Sequence, residues 1–263
     1  MILVPAGEFT MGSSAEDAIV ECQKRSIIQN TSGWDCSKDS FIDGEPAHTV
    51  YLDAYDIDKY EVSNAAYRAC VEAGECSPPD DNWTPIPNSY YGNSAYDDYP
   101  VHVDWNMAKA FCEWRGARLP TEAEWEKAAR GSNGSVYPWG NAFDVTKLNF
   151  CDKQCRWANN NINYNDGFAE SAPVDSYPNG VSQYGIYNMA GNVYEWVNDW
   201  YSETYYQSSP SSNPLGPNTG EFRVLRGGSW SSRSDTYFRS TFRNMNPPTS
   251  EGRDDGFRCA RSP

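Results

Sequence analysis

The stretch at 185–200, GIYNMAGNVYEWVNDW, admits few backbone structures. A half-buried strand would alternate apolar and polar residues, and an amphipathic helix would space its apolar residues three or four apart. Here Asn188, Gly191, Asn192 and Glu195 interrupt an aromatic run, and neither period holds. Carboxylate and amide oxygens beside the backbone carbonyls of an irregular loop are what a hard cation such as calcium takes as ligands. Two readings satisfy the local pattern: a calcium loop, or a turn feeding an aromatic core segment. The residues alone leave both open.

The rest of the chain shares this character. Aromatic residues make up 14%, with 10 Trp and 18 Tyr, so the core is expected to be built from rings more than from long aliphatic helices. Mean hydropathy is −0.74. No run of eighteen apolar residues occurs, and no membrane span is expected. The formal net charge of −15 repels nucleic-acid phosphates and anionic lipid, so neither is an expected partner.

Taken in order, residues 1–12 read as strand, turn and strand, and 13–45 as a polar inserted loop. Residues 48–58 alternate as a strand. Ser63 caps a helix that places Tyr67, Cys70 and Val71 on one face and stops at Gly74. Residues 78–100, rich in Pro, Asn, Asp and Tyr, are loop. A helix over 106–114 turns Ala110, Phe111 and Trp114 inward and closes at Gly116. A second opens on the capping box of Thr121 and Glu124 and runs to Gly131. Beyond it lie short strands and turns. The expectation is one α+β domain over 1–263 with a loop insertion around 13–45.

The 8 cysteines include no CxxC pair, and the only histidines are His48 and His102, so disulfides are favoured over zinc. Spacing suggests Cys22 with Cys36, Cys70 with Cys76 and Cys151 with Cys155, leaving Cys112 with Cys259. Such usage points to an extracytoplasmic or secreted protein. Met1 leads directly into ILVPAGEFTMG without the basic and apolar regions of a signal peptide. The expectation is therefore a trimmed domain, or one downstream of an export signal.

Two histidines, neither near a nucleophile-elbow motif, argue against a Ser-His-Asp hydrolase, and phosphate-cradling glycine motifs are absent. In RGGSW at 226–230, Gly227 and Gly228 let the backbone approach something closely beside Ser229, or mark a strand ending in a bulge. Two calcium sites can be proposed. One uses the Asn188 and Glu195 side chains with the carbonyls of Gly191 and Val193; the other uses the Asn149 and Asp166 side chains with the carbonyls of Phe150 and Phe168.

Ordered motifs carry a family resemblance along almost the whole chain. They are VPAGEFTMGS at 4–13, GEPAHTVYLDAYDIDKYEVSNAAY at 44–67, PVHVDWNMAKAFCEWRGARLPTEAEWEKAARG at 100–131 and YPWGN at 137–141. DGF at 166–168, APVDSYPNGVSQYGIYNMAGNVYEWVNDWY at 172–201, RVLRGGSW at 223–230 and GFRCA at 256–260 complete the series. Together they resemble the formylglycine-generating enzymes, or sulfatase-modifying factors. The resemblance implies an irregular C-type-lectin-like α+β domain stabilised by calcium and disulfides. It places calcium ligands on the same eight residues and a disulfide on Cys112 and Cys259.

The family's chemistry uses copper(I), held by two cysteine thiolates shortly after GGS, to oxidise a substrate cysteine with oxygen. Copper(I) selects such soft ligands. Aligned on Gly227-Gly228-Ser229, the two thiolate positions fall on Ser232 and Tyr237, and no cysteine occurs between Cys155 and Cys259. Copper is therefore not expected, and no catalytic residue is assigned. The expected role is a calcium-stabilised binding or accessory module, a monomer or part of a larger chain. Its peptide, protein or glycan ligand would meet Arg233, Tyr237, Arg239, Arg243 and Asn244, all read as exposed contact residues. Two alternatives stand beside it: an oxidoreductase of this family with a different active site, and a diversified lectin-fold receptor, a class that also carries RGGSW and GFR.

Overall fold

A computed structural model describes residues 1–24, 36, 41–80, 90–155 and 164–263. Its centre is a four-stranded sheet of order β7-β6-β5-β8, formed by β5 (Tyr194–Trp200), β6 (Arg223–Arg226), β7 (Asn244–Asn246) and β8 (Asp255–Phe257). β5 runs antiparallel to β6 and parallel to β8. The end of the 185–200 stretch is thus a central strand, and the loop before it lies against the core.

Two smaller sheets draw on the N-terminal strands, one of them completed by a strand near the C-terminal end. β2 (Gly7–Met11) pairs with β3 (His48–Leu52), while β1 (Ile2–Val4) and β9 (Ala260–Arg261) flank β4 (Tyr55–Ile57). The single strand expected over 48–58 is therefore two strands, because its halves pair in different sheets. Within the 13–45 insertion lies an unanticipated helix, α1 (Ala15–Lys24). Ser14 Oγ accepts from Asp17 N at its start, and Ala15 and Ala18 pack on Phe41.

The other helices follow their caps. Ser63 accepts from Ala66 N to open α2 (Asn64–Glu72), and Asp104 accepts from Met107 N to open α3 (Trp105–Trp114). Trp114, expected inward, is 40% exposed; the buried face of α3 is instead Trp105, Ala108, Phe111 and Cys112. Two indole hydrogen bonds lock α3 to the sheet: Trp105 Nε1 donates to Val197 O at 2.8 Å, and Trp196 Nε1 to Val103 O at 2.9 Å. A disulfide between Cys112 and Cys259 joins α3 to the segment between β8 and β9. Cys70–Cys76 and Cys151–Cys155 are also bonded, as spacing suggested, while the Cys22 side chain of the fourth expected pair lies outside the described residues. Among the described residues no helix is long and apolar enough to cross a membrane.

The helix α4 (Glu122–Arg130) opens on the expected capping box of Thr121 and Glu124. All nine of its residues are buried, five of them charged. That departs from the usual amphipathic helix, and the partners of those charges shape the region around RGGSW.

Candidate functional site

RGGSW is fastened from both sides. Arg226, at the end of β6, is fully buried and bonds Glu126 Oε2 at 2.7 Å, Glu122 Oε1 at 3.2 Å and Ser240 O at 2.6 Å. Gly227 and Gly228 follow with φ of 93° and 73°. A Cβ on Gly228 would stand 2.7 Å from the Phe238 ring, so the glycine is required by both conformation and space. The loop then meets the 185–200 stretch through the backbone: Gly191 N donates to Gly227 O at 2.9 Å, and Trp230 N to Asn192 O at 2.8 Å.

Beyond the glycines comes a cluster of hydroxyl groups around one carboxylate. Ser229 Oγ and Ser231 Oγ both donate to Asp254 Oδ2, at 2.5 and 2.7 Å. Ser232, where the resemblance places the first thiolate position, is buried; its Oγ accepts from Ser229 N and donates to Tyr194 Oη. Tyr237, at the second, is half-buried with its ring edge-on to Phe242. No free cysteine occurs among the described residues.

The expected contact residues divide. Arg233 is exposed, and Asn244 is half-buried in β7 opposite Leu225. Arg239 and Arg243 are buried, contrary to their reading as exposed contacts. Arg243 holds Glu122 at two points, Nε to Oε1 at 2.8 Å and Nη2 to Oε2 at 3.0 Å, and donates to Asp43 O and Ser202 O. Its charge is used inside the fold, where α4 needs it. Nothing in a serine- and arginine-rich run distinguishes such a residue from a surface contact.

The eight expected calcium-binding residues form two groups, one in segments 149–150 and 166–168 and the other in 188–195, whose last member, Glu195, lies on β5. In the first, Asn149 Nδ2 donates to Glu170 O and to Asn192 Oδ1, while Asn149 Oδ1 and Asp166 Oδ2 are buried with no hydrogen-bond partner among the described residues. The Phe150 and Phe168 backbone N–H groups turn to the Asp166 carboxylate, which burial pushes up to about 7. In the second, Asn188, Gly191 and Asn192 all take positive φ, which folds the chain tightly before Val193.

Glu195 is fully buried and tied to Arg258 at two points of 2.6 Å, with Trp125 Nε1 as a further donor at 2.8 Å. Two residues absent from the expected set complete this region. Glu61 Oε2 accepts from Asn188 and Asn192, leaving its buried Oε1 without a partner among the described residues. Burial, and then the neighbouring Glu195, push Glu61 up to about 8. Asn192 joins the two loops, because its side chain reaches both Asn149 and Glu61. Asn192 stood out in the sequence only as one of the polar residues that interrupt the aromatic run, and Glu61 gave no signal. Among the described residues no group of three or more His, Cys, Asp or Glu could hold a metal. Any cation here would add amide and backbone oxygens to fewer than three carboxylates.

Comparisons with known proteins identify the family of this fold. A family model described as the sulfatase-modifying factor enzyme 1-like domain matches residues 1–263. The formylglycine-generating enzyme of Thermomonospora curvata is 34% identical over 307 residues, which cover all of this chain and 93% of that protein. A Mus musculus protein named inactive C-alpha-formylglycine-generating enzyme 2 is 32% identical over 304 residues, covering all of this chain and 85% of that one. Among solved structures, PvdO from Pseudomonas aeruginosa superposes with a TM-score of 0.72 at 26% identity, over 99% of this chain and 93% of that one.

The ion network behind RGGSW extends to Asp199, whose Oδ2 accepts from Glu122 N at 2.8 Å at the start of α4. Burial, and then the Glu122 charge, push Asp199 up to about 8. A carboxyl that is protonated when folded and ionised when unfolded stabilises the fold in acid, and the contribution is lost as pH rises to the folded value. Stability should therefore fall from about pH 4 to about pH 8 by up to roughly 1.4 kcal/mol per unit. Asp199→Asn keeps an acceptor for Glu122 N and cannot ionise. Urea unfolding across that range should give a flatter pH profile for the variant than for the parent chain; parallel profiles would remove Asp199 as the cause.

Proposed function

The chain belongs to the sulfatase-modifying factor family, and we propose that within it this chain serves as a calcium-stabilised binding module without copper-dependent formylglycine generation. The single observation that carries this reading is the fate of the thiolate positions. Ser232 offers a hydroxyl bonded to Ser229 N and Tyr194 Oη, and Tyr237 a phenol. Neither is the soft, anionic sulfur that copper(I) selects. The mouse relative whose name describes it as inactive supports the same direction, since the family tolerates members without the reaction. Three disulfides support an oxidising, extracytoplasmic setting.

Two cation sites belong to this proposal. Asn149, Asp166 and the carbonyls of Phe150 and Phe168 would hold one, and the unpartnered Asn149 Oδ1 and Asp166 Oδ2 support it. Asn188, Glu195 and the carbonyls of Gly191 and Val193 would hold the other. There both oxygens of Glu195 are already taken by Arg258 and Trp125 Nε1, and the atom that supports a cation is the buried Glu61 Oε1, which has no partner among the described residues. Calcium would neutralise these acids and brace both loops against RGGSW; it would take no part in redox chemistry.

Two measurements test the reading. A peptide carrying Cys-x-Pro-x-Arg, incubated with the chain, copper(I) and oxygen, should emerge at unchanged mass; conversion of its cysteine to formylglycine would overturn the binding-module reading in favour of an oxidoreductase. Thermal melts should show stabilisation by calcium that a chelator removes, and Asp166→Asn should weaken it. A melt indifferent to calcium and chelator would dismiss both sites.

A further inference from the structure

Asp254 is the one carboxylate of the serine cluster whose charge the fold leaves uncompensated. Its Oδ2 is fixed by the hydroxyls of Ser229 and Ser231, and Ser229 is fully buried, so the carboxylate is held in one place. Asp254 and Ser231 are both half-buried, and so the cluster opens to solvent on their side. Among the described residues no Lys, Arg or His lies within ion-pairing distance of Asp254. Hydroxyls adjoin it: Ser231 bonds it, and Tyr194 is within electrostatic reach of Asp254 and of Tyr237, which the exposed Arg233 also reaches. Asp255, next along the chain, does not share the role. It is buried and bonded to Asn246, and burial first, then the Asp254 charge, pushes its carboxyl far up.

A purely structural carboxylate would be expected to finish on a cation or on backbone donors, as Glu122, Glu126 and Glu195 do in the same molecule. Asp254 instead presents an oriented negative charge among hydroxyl groups. Hydroxyl donors delocalise that charge without cancelling it, and a half-buried site strengthens its attraction for an incoming cation. The chain's net charge of −15 draws cations towards the surface in general, while this cluster supplies a fixed point of contact.

We propose that Asp254, positioned by Ser229 and Ser231, receives an ammonium group on the ligand, of the kind a lysine side chain presents. The inference rests on the reading of this face as a ligand-binding face, and adds the chemical class of the ligand. The hydroxyl oxygens of Ser231 and Tyr194 are acceptors suited to the remaining ammonium protons.

The test uses the full chain, labelled with nitrogen-15, and two probes: a capped Gly-Lys-Gly peptide and the same peptide with norleucine for lysine. At millimolar concentration the lysine peptide should shift the amide signals of residues 229–232 and 254, and the norleucine peptide should leave them in place. Asp254→Asn should weaken lysine-peptide binding roughly tenfold or more, because a charged partner is lost. Signals far from the cluster report whether the variant keeps its fold. Ser231→Ala, a change at a half-exposed position, gives a second variant that should weaken binding without unfolding the chain.

Equal shifts from both peptides would overturn the ammonium proposal while leaving a binding face in place. No shift from either, or undiminished binding by Asp254→Asn, would overturn it outright. The wider binding-module reading fails separately, on formylglycine turnover.

Discussion

The ion pairs of Arg226 with Glu122 and Glu126 of α4 are the constraint on which the rest depends. Arg226, Glu122 and Glu126 are all sealed from solvent, and a buried charge stripped of its partner costs about 3–5 kcal/mol. The sheet and helix must therefore stay in one relation, with the end of β6 held over α4. The same helix reaches the N-terminal strands: Lys127 Nζ bonds the carbonyls of Pro5 and Gly7, and Arg130 those of Thr10 and Gly12. A chain with short strands and few aliphatic clusters is thus organised around charged side chains whose partners are mostly backbone carbonyls and one another. That network fixes where Gly227 and Gly228 turn. The turn in turn decides where Ser229, Ser231 and Ser232 meet Asp254.

Some of this was legible in the sequence because it obeys local rules. Ser63 and the box of Thr121 and Glu124 cap helices as short-range hydrogen bonding requires, and the cysteine spacing gave three disulfides. The resemblance supplied the family and the lectin-like fold. What escaped was whatever depended on distant partners. Residues 48–58 alternate as one strand should, yet β3 and β4 pair in different sheets, and no local period reports a change of partner. Trp114 has the helical spacing of a core residue, but the face of α3 that packs is set by Trp105 and its bond to Val197. Arg243 lies in a polar run that reads as surface, and only the glutamate of a helix 121 positions away explains its burial. Glu61, in the middle of a motif, gave no hint that it would face Asn188 and Asn192.

The 185–200 stretch can now be placed. Its left-handed turns at Asn188, Gly191 and Asn192 lead into a central strand, as the reading of a turn feeding an aromatic core segment expects. The loop is an irregular collection of oxygens, and the residues after Val193 are aromatic core. Its backbone also carries RGGSW, through the bonds from Gly191 to Gly227 and from Trp230 to Asn192. A cation in this loop would therefore act on the serine cluster indirectly, by stiffening the surface against which that cluster is built.

The central claim, that hydroxyls have replaced metal-binding sulfur, can be met head on by titrating the chain with copper(I), without oxygen, against a chromophoric chelator. The account predicts that the chelator keeps its copper in the presence of the parent chain. The double variant Ser232→Cys with Tyr237→Cys should withdraw one equivalent with the ultraviolet absorbance of copper–thiolate bonding. Withdrawal of a stoichiometric amount by the parent chain itself would contradict the account.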